Sequence, residues 1–293
     1  MYQDQKTGPK RGVALYSYSG EFGWAMDLES CFQDIQDMGA HGVEILANTH
    51  IPTYPEIDEA WLDYWFQLLD RYEIVPAEYG HWIDSRLYSG RELTTEESYE
   101  MLSRDMHLAS RLGFPVMRTK MGVIDEINTP VKNWREIIHM ALPLAEELNV
   151  RLCPELHMPT ALKSRYVDDY VEFIEKENTK YFGFNVDFGT FQDKFESDFR
   201  LPGMPEDGGP ASRPEDILPI LKYVYCCHAK FNYMSEDFEE KTIPYEQILG
   251  ILKERNWDGY MLSEYEGAHK EQPGFVSDQL HRQHIMMKRI LGE

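Results

Sequence analysis

Eight short apolar runs, each followed by an amphipathic stretch of helical period, predict a single (β/α)8 TIM barrel over residues 1–293. Two further observations select it. The first apolar run leads into "YSYSGEFGW", with no GxGxxG and no GKS or GKT, whereas an open doubly wound sheet normally carries a Gly-rich phosphate loop there. A chain of 293 residues, 42% hydrophobic and 13% aromatic, also has the core material for one barrel, a fold that routinely reaches this length as one domain.

The predicted strands, in order, are "GVALYS" near 12, "GVEIL" near 42, "IVPAEY" near 74 and "PVMRTK" near 115. "VRLCPE" near 150, "YFGFNVD" near 181, "YVYCCHAK" near 223 and "GYMLSE" near 259 complete the set. Each is short, apolar and bounded by turn residues, as a strand buried on both faces should be. Helical patterns fall at 28–38, 61–72, 98–112, 134–148, 166–177, 214–222, 245–254 and 279–290. Start signals support them: Asp27 precedes the first, and Thr94 stands three residues before Glu97. "DMGAHG" and "RLGFP" put glycine where a helix stops before the next strand. One segment, residues 193–214, is rich in Gly, Pro and charge and is expected to be an insertion on the catalytic face that closes over the site as a lid.

Lys and Arg number 29 against 51 Asp and Glu, a net charge of −22. Such a field repels phosphate backbones and anionic lipid, so nucleic-acid and membrane partners are excluded. No apolar run is long enough to span a bilayer, and the start lacks the apolar segment of a signal peptide. Four cysteines without CxxC spacing fit a reducing compartment, so a cytoplasmic protein is expected.

In a barrel of this kind the carboxyl ends of the strands converge on one site. The fifth predicted strand ends in Glu155, the sixth in Asp187, the seventh in His228 and the eighth in Glu264. Three carboxylates and an imidazole suit one hard or borderline divalent ion, Mn²⁺ foremost, with Co²⁺, Mg²⁺, Fe²⁺ or Zn²⁺ as alternatives. Without a cation the three carboxylates would raise one another's pKa values. His157, two residues past Glu155, is a candidate base. Lys230, Lys120 and Arg118 are candidate substrate contacts, with His81 and the rim aromatics Tyr16 and Trp82; Tyr18, Trp24 and Tyr79 complete that aromatic group.

"CPELH", "NVDFG", "CCHAK" and "LSEYEG" together resemble the metal-binding strand ends of the sugar isomerase/epimerase superfamily, the xylose isomerase-like barrels. The resemblance spans nearly the whole chain and implies one divalent metal on Glu155, Asp187, His228 and Glu264. It also implies proton transfer next to a sugar carbonyl, with Glu155 and Glu264 on opposite sides of the substrate carbon. Isomerisation or epimerisation follows if the proton returns, and elimination if a neighbouring group leaves. Three grips expected of ketohexose epimerases are replaced, by Thr190, Met234 and Ala161. A narrower resemblance is to catalytic subunits of bacterial C-glycoside deglycosidases, which act on 3-oxo-glycosides by elimination with a small β-rich partner subunit. The expected partners are therefore a neutral sugar or glycoside and either a second copy or such a subunit. Metal-dependent phosphodiester hydrolysis, known on this barrel, needs a basic groove that the charge of −22 denies. A non-catalytic sugar-binding protein would not need all four ligands.

Overall fold

The computed structural model describes residues 7–80, 91–119, 130–158, 160–192 and 212–293. Strand and helix alternate along them: β1 (Lys10–Ala14), α1 (Leu28–Asp37), β2 (Gly42–Leu46), α2 (Ala47–His50), α3 (Glu59–Arg71), β3 (Val75–Gly80), α4 (Thr95–Leu112) and β4 (Val116–Arg118). Then come α5 (Trp134–Leu148), β5 (Arg151–Cys153), β6 (Glu155–Leu156), α6 (Arg165–Glu177), β7 (Phe184–Asp187), β8 (Val224–Phe231), α7 (Tyr245–Glu254), β9 (Tyr260–Tyr265) and α8 (Phe275–Leu291). Every strand expected from the sequence is present. The fifth is cut into β5 and β6 at Pro154, which has no N–H to give to a ladder.

The caps explain several helix bounds. The Ser30 N–H donates to Asp27 Oδ1 at 2.8 Å, and Thr94 with Glu97 forms a reciprocal capping box at the start of α4. Gly113 ends that helix at φ 87°, a conformation glycine adopts without a Cβ penalty. The helix expected over 214–222 is instead two 3-10 turns, Pro214–Ile217 and Leu221–Tyr223. Pro219 is the reason: it lacks the donor and its ring collides with the carbonyl four residues back. The last helix begins at Phe275, four residues earlier than its apolar pattern suggests.

Contacts divide the chain into two compact units, one holding residues up to Ala77 with Cys226–Glu293, the other Glu78–Tyr225. In the first, β2, β1, β9 and β8 lie side by side, all parallel. Gly12 pairs with Gly42 there. A Cβ on Gly12 would stand 2.5 Å from the Gly42 carbonyl oxygen, and one on Gly42 2.3 Å from the Tyr260 ring, so neither position admits a side chain. In the second unit β3 pairs with β4 and β4 with β5, while β6 pairs with β7, all parallel. Its core is aromatic: Trp134 meets Tyr170 at 4.5 Å and Phe173 at 5.1 Å between ring centroids. Residues 193–211 of the expected insertion lie outside the described residues, while Ser212 is buried and its hydroxyl accepts the Leu162 N–H at 2.8 Å.

Candidate metal and substrate site

Within the second unit, Glu155 opens β6 opposite Asn185 of β7, and Asp187 closes β7. Both side chains are buried, at 8% and 0% exposure, which for carboxylates demands compensation. Arg118, at the end of β4, supplies part of it: its Nη1 donates to Glu155 Oε2 at 3.1 Å, and only 3% of its side chain is exposed. The residue expected to touch substrate therefore grips a candidate ligand. Asp187 Oδ1 accepts the Gly189 N–H at 2.6 Å, capping the 3-10 turn Phe188–Phe191 and fixing its carboxylate. His157 leaves β6 two residues after Glu155, half-buried, with Nδ1 2.5 Å from the Met158 carbonyl oxygen. A proton on Nδ1 makes that bond, so Nε2 is the nitrogen left basic. Below this layer Glu78 is fully buried, taking Asn185 Nδ2 at 2.9 Å and the Cys153 thiol at 3.4 Å.

Within the first unit, His228 of β8 is fully buried between two carboxylates. Its Nδ1 is 3.5 Å from Glu264 Oε2 on β9, and its Nε2 is 3.1 Å from Glu44 Oε2 on β2. Lys230, two residues on, faces the register position of Glu264 and pairs with Glu266 at 2.6 Å. Tyr16 follows β1 and carries Lys270 Nζ 3.8 Å from its ring centre. His50, at the end of α2, packs edge-on to Phe22 at 4.6 Å, and burial pushes its pKa down to about 4, so it is neutral at pH 7.

The remaining expectations divide as follows. Tyr18 and Tyr79 are core, not rim: their hydroxyls donate to Asp34 at 2.7 Å and to Asp105 at 3.1 Å. Trp24 is 63% exposed. Thr190 is buried and bonded to Ser212 Oγ at 2.9 Å, and Met234 is buried with its N–H on Gln279 at 2.7 Å. His81, Trp82 and Lys120 lie outside the described residues.

The sequence reading passed over Glu44, Glu78 and Lys270. Lys270 is held firmly: a Cβ on Gly20 would stand 2.4 Å from the Lys270 carbonyl carbon, and Glu21 Oε2 accepts the Gly274 N–H at 2.9 Å. Its ammonium donates to the Tyr16 carbonyl and the Ser19 hydroxyl, both at 3.3 Å. Burial lowers its pKa to about 8, against the pull of Glu264 and Glu266, while Lys230 adds to the lowering. A lysine whose folded pKa is depressed binds fewer protons folded than unfolded between about pH 8 and the ordinary value near 10.4. Stability from this group therefore rises with pH across that window, by less than about 1.4 kcal/mol per pH unit. We expect Lys270→Met to flatten this rise, read as urea midpoints at pH 7.5, 8.5 and 9.5 against the parent.

The protein-family model described as "Xylose isomerase-like TIM barrel" matches residues 32–284. The chain is 24% identical to the 3'-dehydrocarminate deglycosidase alpha subunit of Microbacterium sp, a match covering 97% of this chain and 96% of that protein. A C-glycoside deglycosidase alpha subunit of Arthrobacter globiformis is also 24% identical, over 98% of this chain and 94% of the relative. Among solved structures, a D-psicose 3-epimerase with D-tagatose from Clostridium cellulolyticum H10 superposes with a TM-score of 0.67 at 15% identity, covering 96% of this chain and 99% of the other. With its strand–helix alternation and the match of the model over residues 32–284, the chain belongs to the xylose isomerase-like TIM barrel family, and its fold is the (β/α)8 barrel.

Proposed function

We propose that the chain is a divalent-metal-dependent enzyme that removes the proton next to a carbonyl of a sugar derivative. The outcome assigned to it is elimination from a 3-oxo-glycoside, as the alpha subunit of a C-glycoside deglycosidase. The observation that carries this reading is the burial of Glu155, Asp187, His228 and Glu264, at 8%, 0%, 0% and 5% exposure, on β6, β7, β8 and β9. A donor set of three carboxylates and one imidazole fits a divalent ion, Mn²⁺ foremost. When bound, the ion would supply positive charge to the substrate oxygen on which negative charge develops.

The chain's own residues do the rest. His157 accepts the proton at Nε2, its Nδ1–H anchored on the Met158 carbonyl so that the ring cannot turn. An imidazole does this near neutral pH without surrendering a metal ligand, which Glu155 or Glu264 would have to do. Lys270 and Lys230 offer ammonium groups to electronegative substituents of the sugar, and Lys270 is charged below about pH 8. Elimination is preferred to epimerisation because two relatives that match 97% and 98% of this chain at 24% identity are deglycosidase alpha subunits. Thr190 and Met234, which replace two ketohexose grips, are built into the protein interior. The word "alpha" in those names supports a second subunit, which we assign as the small β-rich partner.

The test is solvent exchange. Methyl 3-oxo-glucoside and an aromatic 3-oxo-C-glucoside are incubated in D₂O with the Mn²⁺-loaded chain, with and without its partner subunit. Deuterium is expected at the carbon next to the carbonyl, with release of the aglycone from the C-glycoside. His157→Ala should slow exchange by about 10²–10⁴-fold at unchanged metal content. Exchange without aglycone release would favour epimerisation. Absence of exchange with intact migration of a substrate deuterium would replace proton abstraction by a hydride shift.

A further inference from the structure

A neutral imidazole carries one proton on two nitrogens, and only the nitrogen without it can bind a metal ion. In His228 each nitrogen faces a different carboxylate: Nδ1 faces Glu264 at 3.5 Å and Nε2 faces Glu44 at 3.1 Å. Glu264 is the penultimate residue of β9, while Glu44 lies within β2, a strand whose five residues are all buried. Glu44 is 1% exposed, and a carboxylate held that deep needs a donor that stays in place. His228 is fully buried on β8, whose ladder with β9 runs unbroken from Cys226 to Phe231, so its ring is presented from rigid backbone.

We propose that Glu44 is the positioning residue of His228: it takes the Nε2–H, fixes that tautomer, and leaves the Nδ1 lone pair on the Glu264 side as the metal-ligating nitrogen. The proposal rests on the reading of His228 as a metal ligand. Partners of this kind orient ligating imidazoles and raise their basicity, and their loss typically costs about 10–100-fold in metal affinity. A carboxylate buried within β2 has a purpose on this account.

The experiment is calorimetric titration of the EDTA-treated, dialysed protein with Mn²⁺ alone, for the parent, Glu44→Ala and Glu44→Gln. Glu44→Ala should bind Mn²⁺ about 10–100-fold more weakly, and Glu44→Gln, whose amide oxygen still accepts the Nε2–H, should recover part of that loss. Nitrogen NMR of the histidine-labelled, Zn²⁺-loaded parent should place the single proton of His228 on Nε2. Thermal midpoints of the metal-free variants separate weak binding from failure to fold, and if Glu44→Ala does not fold the Gln variant and the NMR still decide. Parent-like affinity in both variants overturns the proposal, as does a proton on Nδ1. Failure of the parent to bind Mn²⁺ overturns the metal reading, and this proposal falls with it; that outcome differs from parent-like binding by the variants.

Discussion

Replacing Asp187 by asparagine is expected to reduce Mn²⁺ affinity by more than about 100-fold, because loss of an outer partner alone typically costs roughly 10–100-fold. The variant is chosen for what it keeps. Asp187 Oδ1 accepts the Gly189 N–H at 2.6 Å, and the asparagine side-chain oxygen can still do so, leaving the 3-10 turn Phe188–Phe191 capped. What it removes is one negative charge from a fully buried position. A buried anion beside other carboxylates lowers stability unless a cation is present, so the metal-free variant should be at least as stable as the metal-free parent. His228→Ala should lose the ion as well. Elemental analysis after dialysis against Mn²⁺, beside denaturant midpoints in EDTA, reads both quantities. Parent stoichiometry in both variants would end the assignment of these residues as ligands.

The strands were legible because short apolar runs between Gly-rich or Pro-rich breaks allow little else at this length, and the barrel follows once eight of them alternate with helices. Asp187 was legible for the same reason, as a polar residue closing an apolar run, whereas β8 runs on past His228 to Phe231 and β9 past Glu264 to Tyr265. Glu44 and Glu78 were not. In a strand covered on both faces, alternation no longer separates solvent from interior, so "GVEIL" places Glu44 on one of two faces that are both buried. The partnership of Arg118 with Glu155 spans 37 residues and depends on register: β4 pairs with β5 so that Arg118 stands beside Cys153, one proline before Glu155. No local pattern encodes that. Lys270 lies six residues beyond Glu264, and its place depends on Gly20, whose missing side chain admits its backbone. The false helix over 214–222 arose from reading apolar period without weighing Pro219.

Arg118→Met is expected to destabilise the metal-free protein by about 3–5 kcal/mol, the range for removing one partner of a buried ion pair. Methionine keeps the apolar stem, so the loss isolates the guanidinium. Both side chains are almost wholly enclosed, at 3% and 8% exposure, so water cannot substitute for the lost donor at 3.1 Å. Glu155 is then left with an uncompensated buried charge. A divalent ion can relieve that charge. If Glu155 is a metal ligand, saturating Mn²⁺ supplies the positive charge that Arg118 no longer does, and binding adds RT ln(1 + [L]/Kd) to stability. The variant's deficit should therefore be large in EDTA and much smaller in excess Mn²⁺, measured as urea midpoints at pH 7 under both conditions. An equal deficit with and without Mn²⁺ would make Arg118 the structural counter-ion of a Glu155 that holds no metal. A deficit below about 1 kcal/mol in EDTA would mean that the pair behaves like an exposed one.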